Sequence, residues 1–142
     1  SGAVIAISVL CVCLLVIVPI LAAIAIPQYQ KYVTRSQATA AYYSAVALKP
    51  AVVEAYNNMG RCPANGEAGI RNASDYAEKN VSAIDTGAFE GQNDTCAIQV
   101  TIKSTSHQID GKHIWLSTTP SQGSQWTCST DLPASEAPMQ CR

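Results

Sequence analysis

The sequence predicts an α+β protein in which a long N-terminal helix packs on a small antiparallel β-sheet head. Three observations predict this class. An uncharged, mostly apolar run fills residues 1–26, helical periodicity follows over 28–59, and short alternating segments begin at Cys96. We therefore expect a hydrophobic segment over 1–27 and one globular head over 28–142, which is long enough for one small domain.

The apolar run from Gly2 to Ile26 contains no Asp, Glu, Lys, Arg or His. As a helix rising ~1.5 Å per residue it would be roughly 37 Å long, enough to cross a hydrocarbon core of roughly 30 Å. A signal peptide is disfavoured because the run is too long and Ser1-Gly2-Ala3 supplies no basic residue. A simple membrane anchor fits, as does a rod that rests in the membrane and later packs into a filament.

Residues 28–59 predict an amphipathic helix. Its apolar positions recur at steps of three and four residues, and Gly60 is a stop signal. Pro50 lies inside this stretch, so we expect a kink near residues 46–50. Pro19 and Pro27 also interrupt the rod, and two interpretations stay open: a kinked membrane helix, or a segment that extends when the rod packs elsewhere.

The remaining chain predicts a loop and a sheet. Residues 61–95 are rich in Gly, Asn, Ser and Asp and are interpreted as a surface loop. Three strands are expected at 96–103, 112–118 and 124–129, forming a sheet over 96–129. Residues 130–142 contain Pro133 and Pro138 and should be irregular.

Charge and chemistry exclude several function classes. Nine basic and ten acidic residues give a net charge of −1, which argues against a strong grip on nucleic acid or anionic lipid. No nucleophile with a base, paired carboxylates or phosphate loop is recognisable, so neither an enzyme nor a cofactor is predicted. His107 and His113 are expected to be solvent-facing polar residues.

Six cysteines are many for 142 residues. Cys11 and Cys13 lie in the apolar run, where small buried apolar residues or a lipid-modified thiol are the alternatives. The other four form no CxxC pair, which favours disulfides over zinc and implies an oxidising compartment. These four cysteines are Cys62, Cys96, Cys128 and Cys141. Four cysteines can pair into two disulfides in three ways, and all three stay open at this point.

Three motifs carry a family resemblance. The first is Leu21-Ala22-Ala23-Ile24-Ala25-Ile26-Pro27, followed by Tyr29, Tyr32 and Arg35-Ser36-Gln37. The second is Trp126-Thr127-Cys128 with Cys141, and the third joins Arg61-Cys62-Pro63 with Thr95-Cys96-Ala97. With these motifs the chain resembles type IV pilins of a two-disulfide subgroup, the subunits of retractile bacterial surface filaments. The resemblance implies the pilin fold and the pairings Cys62–Cys96 and Cys128–Cys141.

The resemblance also implies a function. It implies a structural subunit of a type IV pilus that polymerises through its apolar helix, for motility, adhesion or DNA uptake. The filament-core positions would be Leu10, Leu14, Ile17, Pro19, Leu21, Ile24, Ile26 and Pro27. The loop 128–141 would offer a possible adhesion surface with Asp131, Pro133, Glu136, Pro138 and Met139, or act only as a clasp for the chain end.

Partners and location follow from the same resemblance. The chain would occupy the bacterial inner membrane before assembly and the extracellular filament afterwards. Its partners would be further copies of itself, the pilus assembly machinery and a host-cell receptor, with nucleic acid disfavoured. The alternatives are a minor or DNA-receptor pilin, a type II secretion pseudopilin, which usually lacks the C-terminal disulfide loop, and an anchored protein that never polymerises.

One departure from the family concerns the helix start. Family members usually open with an N-methylated Phe and have Glu as fifth residue, whose carboxylate is thought to pair with a neighbouring amino terminus. Aligned on Ile26-Pro27, the glutamate position is Leu10 and the helix-loosening glycine position is Pro19. Processing and N-methylation are therefore not carried over. Either docking proceeds without that ion pair, or Ser1 is not the natural start.

Overall fold

A computed structural model describes all residues from 1 to 142. Its helices are α1, Gly2–Val46, and α2, Lys49–Met59; its strands are β1, Val81–Phe89, β2, Gln92–Ile102, β3, His113–Thr118, and β4, Trp126–Thr130. Two compact units divide the chain, Ser1–Val33 and Thr34–Arg142, called here the N-terminal and the C-terminal unit. The α+β prediction, with a long first helix and an antiparallel sheet, is confirmed.

The N-terminal unit is a helix that passes through both Pro19 and Pro27. Each proline lacks the amide hydrogen that would bond the carbonyl four residues earlier, so Leu15 and Ala23 lose their usual intrahelical donors. Ser8 turns its hydroxyl back on the helix and donates to the Val4 carbonyl at 2.8 Å. Ser8 is the one hydroxyl-bearing residue between Gly2 and Ile26, and its hydroxyl is therefore hydrogen-bonded within the helix.

The predicted helix over 28–59 is divided into two helices at the place where a kink was expected, residues 46–50. Helix α1 extends to Val46, and α2 begins anew at Lys49 after a turn at Ala47 and Leu48. Pro50 explains the break, because it cannot donate to the Val46 carbonyl and its ring would clash with that group. Helix α2 ends at Gly60, which has a φ of 70° and donates its amide to the Tyr56 carbonyl at 2.8 Å.

The predicted loop over 61–95 and the three-strand sheet over 96–129 also need correction. The sheet has four strands in the order β1-β2-β3-β4, all neighbours antiparallel, and it reaches from Val81 to Thr130. β1 and the first residues of β2 occupy the second half of the predicted loop. A register shift between Val81 and Ala83 puts the buried residues Val81 and Ile84 three apart, which hides the two-residue period of a strand.

The core of the C-terminal unit lies between its helices and one sheet face. The helical side contributes Ala38, Ala41, Tyr42, Ala45 and Val52. The strands contribute residues at alternate positions, among them Ile84, Ile98, Val100, Ile114 and Leu116. Burial raises the pKa of the Tyr42 phenol, and the adjacent Tyr43 raises it further. The predicted amphipathic stripe is thus the cover of the sheet.

A short loop protects the free edge of β1. The Asn65 side-chain amide donates to the Ile84 carbonyl at 2.9 Å, and its oxygen accepts from the Thr86 amide at 2.9 Å. Asn65 therefore occupies the backbone groups that an edge strand would otherwise offer to another chain. The Cys62–Cys96 disulfide, with Cα atoms 5.2 Å apart, ties the same loop to β2.

Candidate functional site

The first candidate surface is the apolar exterior of the N-terminal unit. Fifteen large aliphatic side chains from Val4 to Ile26 are each about half exposed or more. Moving each out of water is worth ~1.5–3 kcal/mol, which gives roughly 20–45 kcal/mol for the set. The helix is long and apolar enough to cross a membrane. A segment with this surface requires lipid or protein around it.

Five of the predicted filament-core residues share one face of α1. Leu10, Leu14, Ile17, Leu21 and Ile24 follow each other at steps of four and three residues, and each is exposed. Pro27 extends this face by three residues, whereas Pro19 and Ile26 lie off it. The apolar character continues around the helix, so several neighbours can pack on it at once.

The two cysteines of the N-terminal unit, Cys11 and Cys13, are free thiols and exposed. They lie two residues apart on a helix and therefore point to different faces. Both thiols were expected to be buried, but in the single subunit they are exposed. Only surrounding lipid or protein could bury them.

The second candidate surface is the loop closed by Cys128 and Cys141, whose Cα atoms are 4.7 Å apart. Arg35 of α1 donates to the Ser135 carbonyl from Nε at 3.0 Å and from the second guanidinium nitrogen at 2.7 Å. Asp131 accepts the His113 amide at 2.7 Å and lies 3.4 Å from the His113 ring nitrogen. The loop is thus fastened to α1 and β3 as well as to β4.

The five predicted adhesion residues divide into two groups. Asp131, Pro133 and Met139 are exposed, and Met139 is 78% exposed. Glu136 is only 3% exposed and Pro138 is buried, so neither can be part of a contact surface as expected. Glu136 turns inward because its amide bonds the Pro133 carbonyl and its carboxylate accepts the Ser135 hydroxyl. His107 is exposed as expected, whereas His113 is half-buried.

Beside the Cys62–Cys96 disulfide, Arg61 and Glu67 form a two-bond ion pair at 2.9 and 3.0 Å. Glu67 also accepts the Ala64 amide at 3.1 Å. These hydrogen bonds, from Arg61 first and from Ala64 second, lower the pKa of the Glu67 carboxyl below 4.5. The same pair raises the pKa of Arg61. The ion pair and the Ala64 hydrogen bond therefore hold the backbone on both sides of Cys62 in place.

The third surface, the outer face of the sheet, was missed by sequence reasoning. Trp115 lies on it between the buried Ile114 and Leu116, and its indole nitrogen donates to Gln99 Oε1 at 2.7 Å. The His113 ring stacks on this indole with centroids 5.5 Å apart. The signal was present in the sequence, because alternation through Ile114 and Leu116 forces Trp115 onto the face opposite the core.

Comparison with known proteins places these surfaces in a family. The model of the pilin family of bacterial filament proteins matches residues 34–142. The chain is 41% identical over 130 residues to a fimbrial protein, EcpC, of Eikenella corrodens, covering 89% of this chain and 82% of that protein.

More distant relatives agree. The chain is 33% identical over 123 residues to a fimbrial protein of Neisseria meningitidis, covering 85% of this chain and 69% of that one. A crystal structure of a Cs1 pilin chimera has the same fold, with a TM-score of 0.59, 20% identity, and coverage of 79% of this chain and 98% of that one. The pairings Cys62–Cys96 and Cys128–Cys141 are those that the resemblance implied. The chain belongs to the pilin family, as a type IV pilin.

Proposed function

We propose that this chain is a structural subunit of a type IV pilus, which polymerises through the apolar surface of its N-terminal unit into an extracellular filament. The observation that supports this most directly is the set of fifteen exposed aliphatic side chains on a helix that continues into a folded, disulfide-closed unit. A helix of this kind needs neighbours of its own type once it leaves lipid. Copies arranged head to tail form a contact that does not close, and so a fibre.

The inner membrane holds the subunit before assembly in this proposal, and the assembly machinery extracts it. The net gain on polymerisation is small compared with the water-to-core value, because lipid tails are about as apolar as Leu side chains. A small gain suits a filament that is both extended and retracted. Motility, adhesion and DNA uptake are the cellular roles compatible with such a fibre.

The head of the subunit supports the major alternatives less well. A DNA-receptor pilin needs a basic stripe, yet Asp110 lies between Lys103 and Lys112 and accepts the Ser104 amide at 2.9 Å. A type II secretion pseudopilin usually lacks the loop closed by Cys128 and Cys141. Relatives named as fimbrial proteins and major pilins point the same way.

Trimming the filament-core face tests this proposal. The variant Leu14→Ala with Leu21→Ala, expressed in a pilus-forming bacterium without its own pilin, should keep the subunit in the membrane but reduce sheared filaments. We expect at least about a tenfold fall, because ~1.4 kcal/mol of lost contact corresponds to a factor of ten. Filament yield is measured in the sheared fraction and subunit amount in the membrane fraction.

The matched control is Met139→Ala, which trims an exposed apolar side chain of the C-terminal unit. It should leave filament yield unchanged. Undiminished filaments from the double variant, at equal membrane amounts, would contradict assembly through this face.

A further inference from the structure

A cleft of about 520 Å³ opens on the outer face of the sheet. Its lining includes Asp85, Gly87, Phe89, Ala97, Gln99 and Trp115, and we call it the sheet cleft. We propose that the sheet cleft binds a neutral saccharide of one or two pyranose rings. The site contains no residue of the N-terminal unit and only Ser129 of the loop 128–141, and it does not depend on polymerisation.

Strand register builds the cleft. Asp85 pairs with Gln99, Gln99 with Trp115, and Trp115 with Ser129, so one row of polar and aromatic side chains crosses all four strands, and its three members on β1 to β3 are large. In the adjacent row Gly87 pairs with Ala97. Small residues beside a row of large ones leave a depression, and the Trp115 indole rises from one side of it.

The indole is held in place before any ligand arrives. Its nitrogen is already used, since it donates to Gln99 Oε1 at 2.7 Å. The His113 ring covers part of it by stacking at an interplanar angle of 26°. What Trp115 has left to offer is its remaining aromatic surface. Such a face carries negative charge density, which suits the weakly positive C–H groups on the flat side of a sugar ring.

Charge in the lining selects among ligands that stack. Asp85 and Glu90 bring two carboxylates, and the lining contains no Lys or Arg. Carboxylates accept hydrogen bonds from hydroxyl groups, and the Gln99 amide and Ser129 hydroxyl add further polar partners. A nucleic-acid strand would also stack on an aromatic platform, but its phosphates need cations that the cleft lacks. A neutral, hydroxyl-rich ring matches both the aromatic face and the carboxylates.

The size of the cleft sets the expected affinity. A volume of about 520 Å³ lies within the range of small-molecule sites and accommodates one or two rings. Because the cleft is open to solvent, we expect a dissociation constant on the order of 1 mM for a single copy. If the chain polymerises as proposed, a filament would repeat the site and raise the avidity for a glycan-covered surface.

The test uses the full chain in a zwitterionic detergent without a sugar headgroup. Neutral disaccharides built from glucose, galactose or N-acetylhexosamines are titrated to about 20 mM, well above the expected dissociation constant. Nitrogen-15 NMR follows the side-chain signals of the only two tryptophans, Trp115 and Trp126. Saturable shifts of the Trp115 indole signal by at least one disaccharide, with Trp126 unaffected, are expected.

Two variants locate the binding. Gly87→Gln should fill the cleft without strain, because Gly87 does not have a positive φ and an added Cβ meets nothing within 4 Å. We expect it to keep the folded Trp115 signal and to weaken binding at least about tenfold. The matched control Ser82→Gln places the same side chain at an exposed position of β1 outside the cleft and should bind as the unaltered chain does.

Several results would overturn the proposal. One is the absence of saturable shifts with every disaccharide of the panel. Another is binding that Gly87→Gln leaves unchanged. A third is a stronger Trp115 response to a single-stranded oligonucleotide than to any neutral sugar, which would identify the cleft as a nucleic-acid site. Because micelle-bound subunits are unpolymerised, none of these outcomes depends on whether filaments form.

Discussion

The carboxylate of Glu67 joins three points of the chain around the first disulfide. It receives two hydrogen bonds from Arg61, the residue before Cys62, and one from the Ala64 amide. Both partners favour its charged form, which is why the pKa of Glu67 is lower than 4.5. An exposed ion pair of this kind contributes little at the surface, but here it also orders the loop entering the disulfide.

Replacing Glu67 by Gln should therefore alter stability in a pH-dependent way. The folded pKa lies below the unfolded one, so the stabilisation is present above the unfolded pKa and is lost as pH falls through the folded pKa. The free-energy difference between Glu67→Gln and the unaltered chain should be small near pH 7 and shrink further below pH 4.5. Urea unfolding of the full chain in detergent, with disulfides intact, measures it. A difference that grows on acidification would contradict this account.

For single residues, the sequence indicated which residues lie in the C-terminal loop but not which of their side chains point into the core. Asp131, Pro133 and Met139 are exposed, as a contact surface requires, whereas Glu136 is buried. Arg35 lies 100 residues from its partner Ser135, and this contact helps to turn the loop inward. No local pattern encodes such a contact, because it depends on how the C-terminal segment packs after the sheet has formed.

Among the elements, those with strong local signals were predicted well. Pro50 correctly indicated a disturbance of the helix, and Gly60 its end. β1 was missed because its register shift breaks the alternation and its sequence is rich in turn-forming residues. Glu90 and Gly91 form the two-residue turn between β1 and β2, with positive φ of 48° and 76°. Glu is not among the residues that usually indicate such a turn, so the hairpin has no clear local signal.

The segment between Pro19 and Pro27 should change its backbone conformation when the filament forms. It is helical in the subunit, although Leu15 and Ala23 lack their usual backbone donors. Because these hydrogen bonds are missing, unwinding the helix here costs less free energy than elsewhere in α1. We therefore expect this segment to extend when the N-terminal units pack into a filament. A helical reconstruction of the filament by electron microscopy measures the backbone directly. Continuous α-helix from residue 19 to 27 in the filament would refute the expectation.

At the scale of the whole molecule, the two units are adapted to different surroundings. Residues 1–33 contain apolar side chains with nothing of their own to cover them, whereas residues 34–142 bury a complete core and close two disulfides. The uncharged run is the local signal that sets the first unit apart, because no charged side chain interrupts it before Lys31. The exact boundary and the four-strand order needed tertiary information.

The two disulfides should contribute unequally to the C-terminal unit. The chain-entropy estimate is about 3 kcal/mol for the 13-residue separation of Cys128 and Cys141, and somewhat more for the 34-residue separation of Cys62 and Cys96. Replacing Cys128 and Cys141 by Ser should therefore lower stability less than replacing Cys62 and Cys96. The variant with Ser at 128 and 141 also keeps the Arg35–Ser135 and His113–Asp131 contacts, which should limit its loss of stability.

The milder variant also separates the clasp from the adhesive role of the loop 128–141. If the loop presents Asp131, Pro133 and Met139 to a receptor, opening the disulfide releases the Met139 end of that surface from β4, even where the rest of the unit stays folded. Filaments with Ser at 128 and 141 should then bind host cells several-fold less than unaltered filaments at equal mass. The control is Met139→Ala in filaments with both disulfides intact, which should show part of the same loss. Urea unfolding checks that the C-terminal unit of both variants is folded. If filaments of both variants then bind host cells as well as unaltered filaments do, the loop is not adhesive and only holds the chain end to the sheet.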